Sequence, residues 1–182
     1  MKVALISVTL LPSLLAGQPV TVAPPDAPSR IALAAPTEPG EVLVIGGSVY
    51  REDGRTPIAG ASIYVYQTDA RGHYARDNAR ASDEPRLKGY LRTDDRGRYE
   101  FRTVKPGSYP GTSNPGHIHY HVSAPGYPER VFEIVFDGDP LIPAQWLRDA
   151  GKPDAGVAVV RLSGSAADGF RGTQSVTLRR QR

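Results

Sequence analysis

The sequence predicts an all-β fold, a β-sandwich of about eight short strands. Glycine (19 residues) and proline (17 residues) are both frequent in this chain of 182 residues, which favours turns over long helices. Short runs rich in β-branched and aromatic residues recur along the chain and are separated by Gly, Pro, Asn and Asp. With 40% hydrophobic residues, the chain can form one domain with its own core.

Residues 1–17 have the layout of a secretory signal peptide, with one lysine, a short apolar run and small residues at its end. The run is too short to span a membrane comfortably, and a retained N-terminal anchor is the alternative. Residues 18–40 are rich in proline, which donates no backbone hydrogen bond and keeps its predecessor extended, so we predict a Pro-rich linker. The sandwich domain is then expected over residues 41–182, with no stable membrane span in the mature protein.

Composition narrows the expected compartment and partners. The chain has no cysteine, which excludes disulfides and thiolate metal sites. Export without disulfides suits a bacterial periplasm or the cell exterior. The net charge is +3, and the basic cluster is a tail with Arg179, Arg180 and Arg182, so nucleic acid is not an expected partner. Composition leaves the oligomeric state open, including a homo-oligomer.

The first predicted strands follow the Pro-rich segment. Residues 41–50 are apolar and rich in valine, and residues 61–67 alternate small or aliphatic side chains with Ser and Tyr, which predicts a strand with both faces covered. Residues 68–89 carry many charges and few core residues. An excursion of this length in a compact domain is usually functional or disordered, and this one contains Tyr74.

A hairpin is predicted next in the chain. Residues 90–93 and 98–104 flank the turn at residues 94–97, and the residues after this turn alternate with a period of two. The remaining predicted elements are strands at residues 117–124, 130–136, 157–162 and 174–178 and one short helix at residues 144–150.

Histidines on alternate positions mark the strand that begins at residue 117. Because successive side chains of a strand point to opposite faces, His117, His119 and His121 share one face. The preceding loop is rich in glycine and proline and carries Tyr109, so a phenol can approach the imidazoles. The pattern fits a metal site, and the alternative is a polar strand face whose histidines are hydrogen-bonded or solvated.

Longer motifs resemble a known family over residues 43–140. They are G-G-S-V-Y-R-E-D-G-R-T-P-I-A-G, Q-T-D-A-R-G-H-Y, T-D-D-R-G-R-Y-E-F-R-T-V-K-P-G-S-Y-P, P-G-H-I-H-Y and F-D-G-D-P. Together they resemble the intradiol ring-cleavage dioxygenases, non-haem iron(III) enzymes that open catechols between the two hydroxyl-bearing carbons. The resemblance implies a transthyretin-like, intradiol dioxygenase-like sandwich topology.

The resemblance also implies an Fe(III) site with Tyr74, Tyr109, His117 and His119 as ligands. It implies that a catechol-type diol displaces Tyr109, which accepts a proton, and that dioxygen opens the ring to a muconate-type diacid. The ligand set is chemically consistent, because two phenolates favour a hard trivalent metal and imidazoles also suit iron. The signal-like N-terminus, in place of the helical dimerisation segment of cytoplasmic relatives, favours the secreted branch of the family.

Two positions depart from the family pattern. Asn114 stands where the family typically has an arginine, three residues before the first histidine ligand, and Glu133 stands where it typically has a glutamine. An amide offers only a neutral hydrogen bond to charge that develops on the substrate, and a carboxylate near an anionic site disfavours an acidic substrate. Together with Tyr109 these are the predicted catalytic positions, and we expect altered specificity or slow turnover.

Two alternative functions remain open. Part of the pattern also resembles transthyretin-like and carboxypeptidase-regulatory-like modules, which are often non-catalytic binding domains. In addition, the three histidines of the 117–121 strand could satisfy zinc or copper. We expect four further tyrosines to fill the core, and we expect His121 to lie beside the site rather than in it. These tyrosines are Tyr64, Tyr66, Tyr99 and Tyr120.

Overall fold

The computed structural model describes residues 21–75 and 85–180. The predicted signal peptide and the first residues of the predicted linker lie outside the described residues. The elements in the described ranges are β1 (Arg30–Ala32), β2 (Val42–Tyr50), β3 (Ser62–Gln67), β4 (Leu87–Arg92), β5 (Arg98–Val104), β6 (His117–Ala124), β7 (Tyr127–Phe136), α1 (Ala144–Asp149), β8 (Val157–Val160), β9 (Ser163–Ser165), β10 (Gly169–Thr173) and β11 (Val176–Thr177). The all-β prediction is confirmed.

The strands form two sheets that enclose the core. Sheet I has the order β1-β5-β2-β10-β9, with β11 also paired to β2, and sheet II has the order β4-β3-β6-β7-β8. The described ranges contain more strands than the predicted number of about eight. The additional strands are short pieces in Pro- or Gly-rich stretches, where the sequence pattern indicates a linker or turns.

The core lies between the inner faces of the two sheets. Leu43 and Phe101 of sheet I and Ile118 of sheet II are fully buried. Burying a side chain of this size stabilises the fold by roughly 1.5–3 kcal/mol. The rings of Tyr99 and Tyr120 meet edge to face in the same core, with their centroids 6.4 Å apart, as predicted for these two tyrosines. The outer face of sheet II is left for the polar side chains of β6.

The predicted hairpin at residues 90–104 is wrong, because its two strands belong to different sheets. Strand β4 pairs with β3 in sheet II, whereas β5 pairs with β2 in sheet I. Thr93 ties the end of β4 to the chain before β3, since its hydroxyl donates to the carbonyl of Ile58 and accepts from the amide of Ala61. The turn that follows carries the chain across to the other sheet. Period-two alternation predicts strands but does not identify their partners.

Residues 21–40 pack on the sandwich rather than leading to it as a free linker. Strand β1 pairs in parallel with β5, and the amide of Ala23 donates to the Ser62 hydroxyl at 2.7 Å. The guanidinium of Arg92 donates to the carbonyls of Ala23, Pro24 and Gly60. Carbonyls next to proline still accept hydrogen bonds, and the proline-free stretch at β1 supplies the donors of a strand. The ordered domain therefore begins before residue 41.

The helix prediction is confirmed, within one residue, by α1. Its Trp146 is partly buried against a small cluster of Val135, Ile142 and Val157. Within residues 21–75 and 85–180 we find no helix long and apolar enough to cross a membrane.

Candidate metal centre

The loops that carry Tyr74 and Tyr109 are in backbone-to-backbone contact. A Cβ atom on Gly72 would lie 1.8 Å from the carbonyl oxygen of Ser108, and one on Gly107 would lie 2.5 Å from the carbonyl oxygen of Ala70. Real Cβ atoms do not approach other atoms so closely, so only glycine fits at both positions. Gly72 also has a φ of +84°, which glycine adopts without steric cost. The glycines of these motifs therefore bring the two loops together.

The start of β6 joins the same packing. A Cβ atom on Gly116 would lie 2.3 Å from the carbonyl oxygen of Pro106, so the approach to the histidine strand also rests on the Tyr109 loop. His117 follows directly and is buried, with 6% of its surface exposed. Three separate chain segments thus deliver their polar side chains to one place at the end of sheet II.

Four donor atoms converge there. The phenol oxygen of Tyr74 lies 2.5 Å from that of Tyr109 and 2.9 Å from Nε2 of His119. The phenol oxygen of Tyr109 lies 3.0 Å from Nε2 of His117, and the two Nε2 atoms are 3.1 Å apart. The structure therefore brings together all of the residues that the family resemblance implied as metal ligands.

The other nitrogen of each imidazole fixes its tautomer. Nδ1 of His117 lies 2.8 Å from the carbonyl oxygen of Pro115, which can only accept a hydrogen bond, so Nδ1 carries the proton. Nδ1 of His119 lies 3.3 Å from Oε1 of Glu133, which assigns its proton in the same way. Both Nε2 atoms then direct lone pairs at each other. A cation between the four donor atoms would satisfy this arrangement, so the residues fit a bound metal.

Burial sets the protonation states of these side chains without a metal. It raises the pKa of Tyr74 and Tyr109 above the ordinary value of 10.0, and for Tyr74 the hydrogen bond to Tyr109 adds to the effect. Burial also lowers the pKa of His119 to about 3, with the neighbouring His117 and His121 contributing. The phenols and His119 are therefore neutral at pH 7, and the phenols ionise only when a cation offsets the charge.

A second donor set also has metal-like spacing. One donor atom each from His117, His119 and Glu133 can be chosen within 4.8 Å of one another. Glu133, however, lies at Nδ1 of His119, whereas the phenol oxygen of Tyr74 lies at Nε2. The set that includes both phenols uses the Nε2 atoms and leaves Glu133 to orient the His119 ring. We favour this set, because it accounts for all four converging side chains.

The family model described as Dioxygenase matches residues 20–174. This chain belongs to the intradiol dioxygenase family. Among its relatives, catechol 1,2-dioxygenase 2 of Acinetobacter lwoffii is 34% identical over 122 residues, which are 58% of this chain and 44% of the relative. The protocatechuate 3,4-dioxygenase beta chain of Burkholderia cepacia is 36% identical over 113 residues, which are 57% of this chain and 48% of the relative. The chain thus spans about half the length of these curated relatives.

Solved structures of the intradiol dioxygenase family share the fold. The dioxygenase domain of a dioxygenase and carbohydrate-binding protein fusion from Streptomyces sp. SirexAA-E has a TM-score of 0.64 and 26% identity, and the match covers 93% of this chain and 98% of that domain. The 3-chlorocatechol 1,2-dioxygenase of Rhodococcus opacus 1CP has a TM-score of 0.64 and 25% identity, with 86% and 68% of the two chains covered. The predicted topology is therefore confirmed.

Tyr66 borders the candidate metal centre of this intradiol dioxygenase family member. Its ring stacks on His119, with centroids 4.2 Å apart and planes 10° apart. Tyr64 and Tyr66 were predicted to fill the core. Tyr64 is buried, stacked on Tyr90, and Tyr66 is only partly buried, and both alternate with Ile63 and Val65 of the main core cluster. They therefore lie on the outer face of sheet II, paired in register with His121 and His119. The sequence pattern missed this role because alternation does not show which face of a doubly covered strand borders the site.

Asn114 and His121 lie outside the four-atom cluster. Asn114 is exposed on the loop before β6, where its backbone N–H donates to the Thr112 hydroxyl at 3.3 Å. Nδ1 of His121 lies 3.3 Å from Oε1 of Glu129. Among residues 21–75 and 85–180, the metal-like group of His and acidic side chains does not include His121. A zinc or copper site built from His117, His119 and His121 is therefore not supported.

Asp69 is a further residue of the site that the sequence pattern did not indicate. Its Oδ1 accepts hydrogen bonds from the amides of Arg71 and His73, at 2.9 Å and 3.0 Å. Its own amide donates to the carbonyl of His73 at 2.8 Å. These bonds close the turn that ends at Tyr74. Asp69 lies three residues before Gly72, and such a pairing of Asp with glycine is a sequence signal for a turn.

Proposed function

We propose that this protein is a non-haem iron(III) dioxygenase that cleaves a catechol-type diol between its two hydroxyl-bearing carbons to a muconate-type diacid. The observation that carries the proposal is the convergence of two phenol oxygens and two imidazole Nε2 atoms at 2.5–3.1 Å. Phenolates are hard anionic ligands suited to a trivalent metal, and imidazole also binds iron. A non-catalytic binding module would need neither Tyr74 nor the His117 and His119 pair.

Bound iron would supply the Lewis acidity that activates the aromatic diol towards dioxygen. Tyr74, Tyr109, His117 and His119 would hold it, and the protein positions the imidazoles in advance. The Pro115 carbonyl orients His117, while Tyr66 and Glu133 hold the face and the Nδ1 edge of His119. Pre-orientation of this kind keeps the donor atoms in place while the substrate exchanges.

Tyr109 is the side chain we expect to move a proton. It lies on a loop rather than a strand, and the residues that follow it, 110–114, are exposed. Burial raises the pKa of Tyr109, so its phenolate, once released by an incoming diol, is a strong base inside the site. The phenolate oxygen then accepts the proton of one diol hydroxyl. Tyr74 and His119 would go on holding the metal while Tyr109 takes up the proton.

Dioxygen uptake tests the proposal. The iron-loaded protein is supplied with catechol, hydroxyquinol and protocatechuate in turn, and the products are identified. We expect one dioxygen consumed per diol and a muconate-type diacid that contains both of its oxygen atoms. Iron-loaded protein that consumes no dioxygen with any diol, or that yields a ring-opened semialdehyde, would contradict the proposed reaction.

We propose that Asn114 limits turnover of catechols that carry an acidic group. The amide offers only a neutral hydrogen bond where an arginine would offer a charge-assisted one. Asn114→Arg is expected to raise kcat/KM for protocatechuate roughly tenfold, in line with the extra strength of a charge-assisted hydrogen bond over a neutral one. The ratio to unsubstituted catechol is the measured quantity, and Ser113→Arg on the same exposed loop is the control. Equal effects of both arginines would show a general charge effect.

We propose that the protein is exported to a bacterial periplasm or the exterior. The signal-like pattern of residues 1–17 and the absence of cysteine support this proposal. Cell fractionation with N-terminal sequencing of the mature protein tests it. Full-length protein found in the cytoplasm, with Met1 retained, would contradict export.

A further inference from the structure

The backbone of Tyr74 is held from both sides of the residue. On its N-terminal side, Asp69 binds the amide and the carbonyl of His73. On its C-terminal side, the amide of Arg86 donates to the carbonyl oxygen of Tyr74 at 3.0 Å. The second contact joins Tyr74 to the residue that directly precedes β4. The backbone position of Tyr74 therefore depends on where Arg86 is held.

Arg86 is held by an acidic residue of the N-terminal segment. Its two terminal nitrogens donate to the two carboxylate oxygens of Glu38, each at 2.7 Å. The same guanidinium lies 3.8 Å from Oδ2 of Asp69. A bidentate pair between planar groups fixes orientation as well as distance. The guanidinium therefore links Arg86 to the N-terminal segment and to the turn before Tyr74.

The pair is shielded from water. The side chains of Glu38 and Asp69 are 7% and 6% exposed, and that of Arg86 is 24% exposed. The hydrogen bond to Glu38 raises the pKa of Arg86, so the guanidinium stays charged. Removal of Glu38 would take two charge-assisted hydrogen bonds from a largely buried guanidinium, which favours local opening over an undisturbed backbone.

The N-terminal segment also touches the Tyr74 turn directly. A Cβ atom on Gly40 would lie 2.7 Å from the Cβ of Ala70, so the backbone at residue 40 rests on the turn. Glu38 and Gly40 therefore meet residues 69–72 through an ion pair and through packing. The pairing of Glu38 with Arg86 spans 48 residues of sequence and joins the segment before β2 to the residue before β4.

We propose that Glu38 and Arg86 are positioning residues for Tyr74. Glu38 fixes the guanidinium of Arg86, and the amide of Arg86 fixes the carbonyl of Tyr74, so that the phenol oxygen stays with Tyr109 and His119. The N-terminal segment thus acts as a support for the metal centre. The role of Tyr74 as a ligand rests on the proposed function, whereas the support of its backbone does not.

Hydrogen exchange of the full-length protein, both iron-loaded and after chelation, tests the proposal. Glu38→Ala, Arg86→Ala and the double variant are compared by mass spectrometry of peptides that cover residues 69–75. We expect exchange there to rise roughly 10- to 100-fold, the effect of losing a charged hydrogen-bond pair on local opening. Peptides of β6 should stay unchanged. The double variant should match the single variants, because the two side chains act as one unit.

Two controls separate positioning from general stability. Arg161→Ala removes the exposed pair with Asp137, and Val176→Ala truncates a buried core residue away from the turn. Val176→Ala is expected to lower Tm without a local rise at residues 69–75. Where Glu38→Ala fails to fold, Glu38→Gln keeps the shape and should show a smaller rise in the same peptides.

Iron-loaded protein gives a second readout. Glu38→Ala should shift the visible absorption of the iron-loaded protein and release iron to a chelator faster, whereas Arg161→Ala should do neither. Variants that lower Tm as Val176→Ala does, with exchange of residues 69–75 unchanged, would overturn the proposal. Increased exchange of residues 69–75 in a protein that shows no tyrosinate absorption would confirm that Glu38 and Arg86 hold the backbone of Tyr74. It would contradict only the proposed function.

Discussion

Nδ1 of His119 lies 3.3 Å from Oε1 of Glu133, while Nε2 of the same ring lies 2.9 Å from the phenol oxygen of Tyr74. The carboxylate and the phenol therefore meet opposite edges of one imidazole. Glu133 was predicted as a catalytic position. This geometry favours an action through His119, whose ring it orients and whose basicity it raises.

Removal of the Glu133 carboxylate should weaken metal binding. Glu133→Ala is expected to lower the affinity for Fe(III) about 10- to 100-fold, the usual cost of losing a partner behind a ligating histidine. Glu133→Gln keeps an acceptor oxygen and should lose much less. Competition with a chelator measures the affinity.

Glu129→Ala is the matched control for this prediction. Glu129 lies on the same strand and also 3.3 Å from a histidine Nδ1, but its partner His121 is outside the cluster. Glu129→Ala should leave the affinity for iron unchanged. Equal losses in Glu129→Ala and Glu133→Ala would show that general charge near the site, and not orientation of His119, controls binding.

Gly72→Ala should separate the two tyrosine loops. Its φ is +84°, and its Cβ would lie 1.8 Å from the carbonyl oxygen of Ser108. Gly126 has a similar φ of +80° with nothing within 4 Å of the added atom. Gly126→Ala should therefore cost only about 1–2 kcal/mol for its backbone conformation. Gly72→Ala should cost roughly 1–3 kcal/mol more, because the backbones must also move apart.

Urea unfolding and iron content measure the two glycine variants. Gly72→Ala should lose both stability and bound iron, whereas Gly126→Ala should keep its iron. If the two variants lost equal stability and both retained iron, the close contact between the loops would have no part in building the site.

The metal-free protein should lose stability as the pH is lowered. The pKa of His119 is lowered from 6.5 to about 3 in the folded state by burial and by His117 and His121. Between these values the unfolded chain binds the proton and the folded chain does not, so the free energy of unfolding falls as the pH is lowered. One such group contributes at most about 1.4 kcal/mol per pH unit.

His119→Gln tests the source of this pH dependence. Urea unfolding of the chelated protein between about pH 7 and pH 5 should show a shallower slope in the variant than in the native chain. Identical slopes would assign the pH dependence to other groups.

Much of the site was predictable from local patterns. Alternation placed His117 and His119 on one face of a strand, and the Gly and Pro residues before them allowed Tyr109 to approach. Tyr74 was different, because it reaches the cluster from 35 residues before Tyr109 along the chain. No local pattern shows such a contact, and only the family resemblance identified it.

The rest depends on tertiary contacts that a linear pattern does not contain. The segment 90–104 alternates as a hairpin would, but its strands pair in different sheets. The Pro-rich segment resembles a linker in composition, yet Glu38 within it finds its partner Arg86 after 48 residues. Ion pairs of this kind are set by the packed fold, and neither residue type nor periodicity indicates the partner.

The visible absorption of the protein after Fe(III) loading tests the central claim most directly. Ionised phenols bound to iron(III) give an intense charge-transfer absorption. The native protein should be coloured, and Tyr74→Phe should lose most of the absorption. Tyr127 lies beneath the guanidinium of Arg180 and outside the four-atom cluster, so Tyr127→Phe should keep the absorption. A protein that binds iron yet stays colourless, or whose absorption is the same in Tyr74→Phe and Tyr109→Phe as in the native chain, would contradict an iron site built on these two tyrosines.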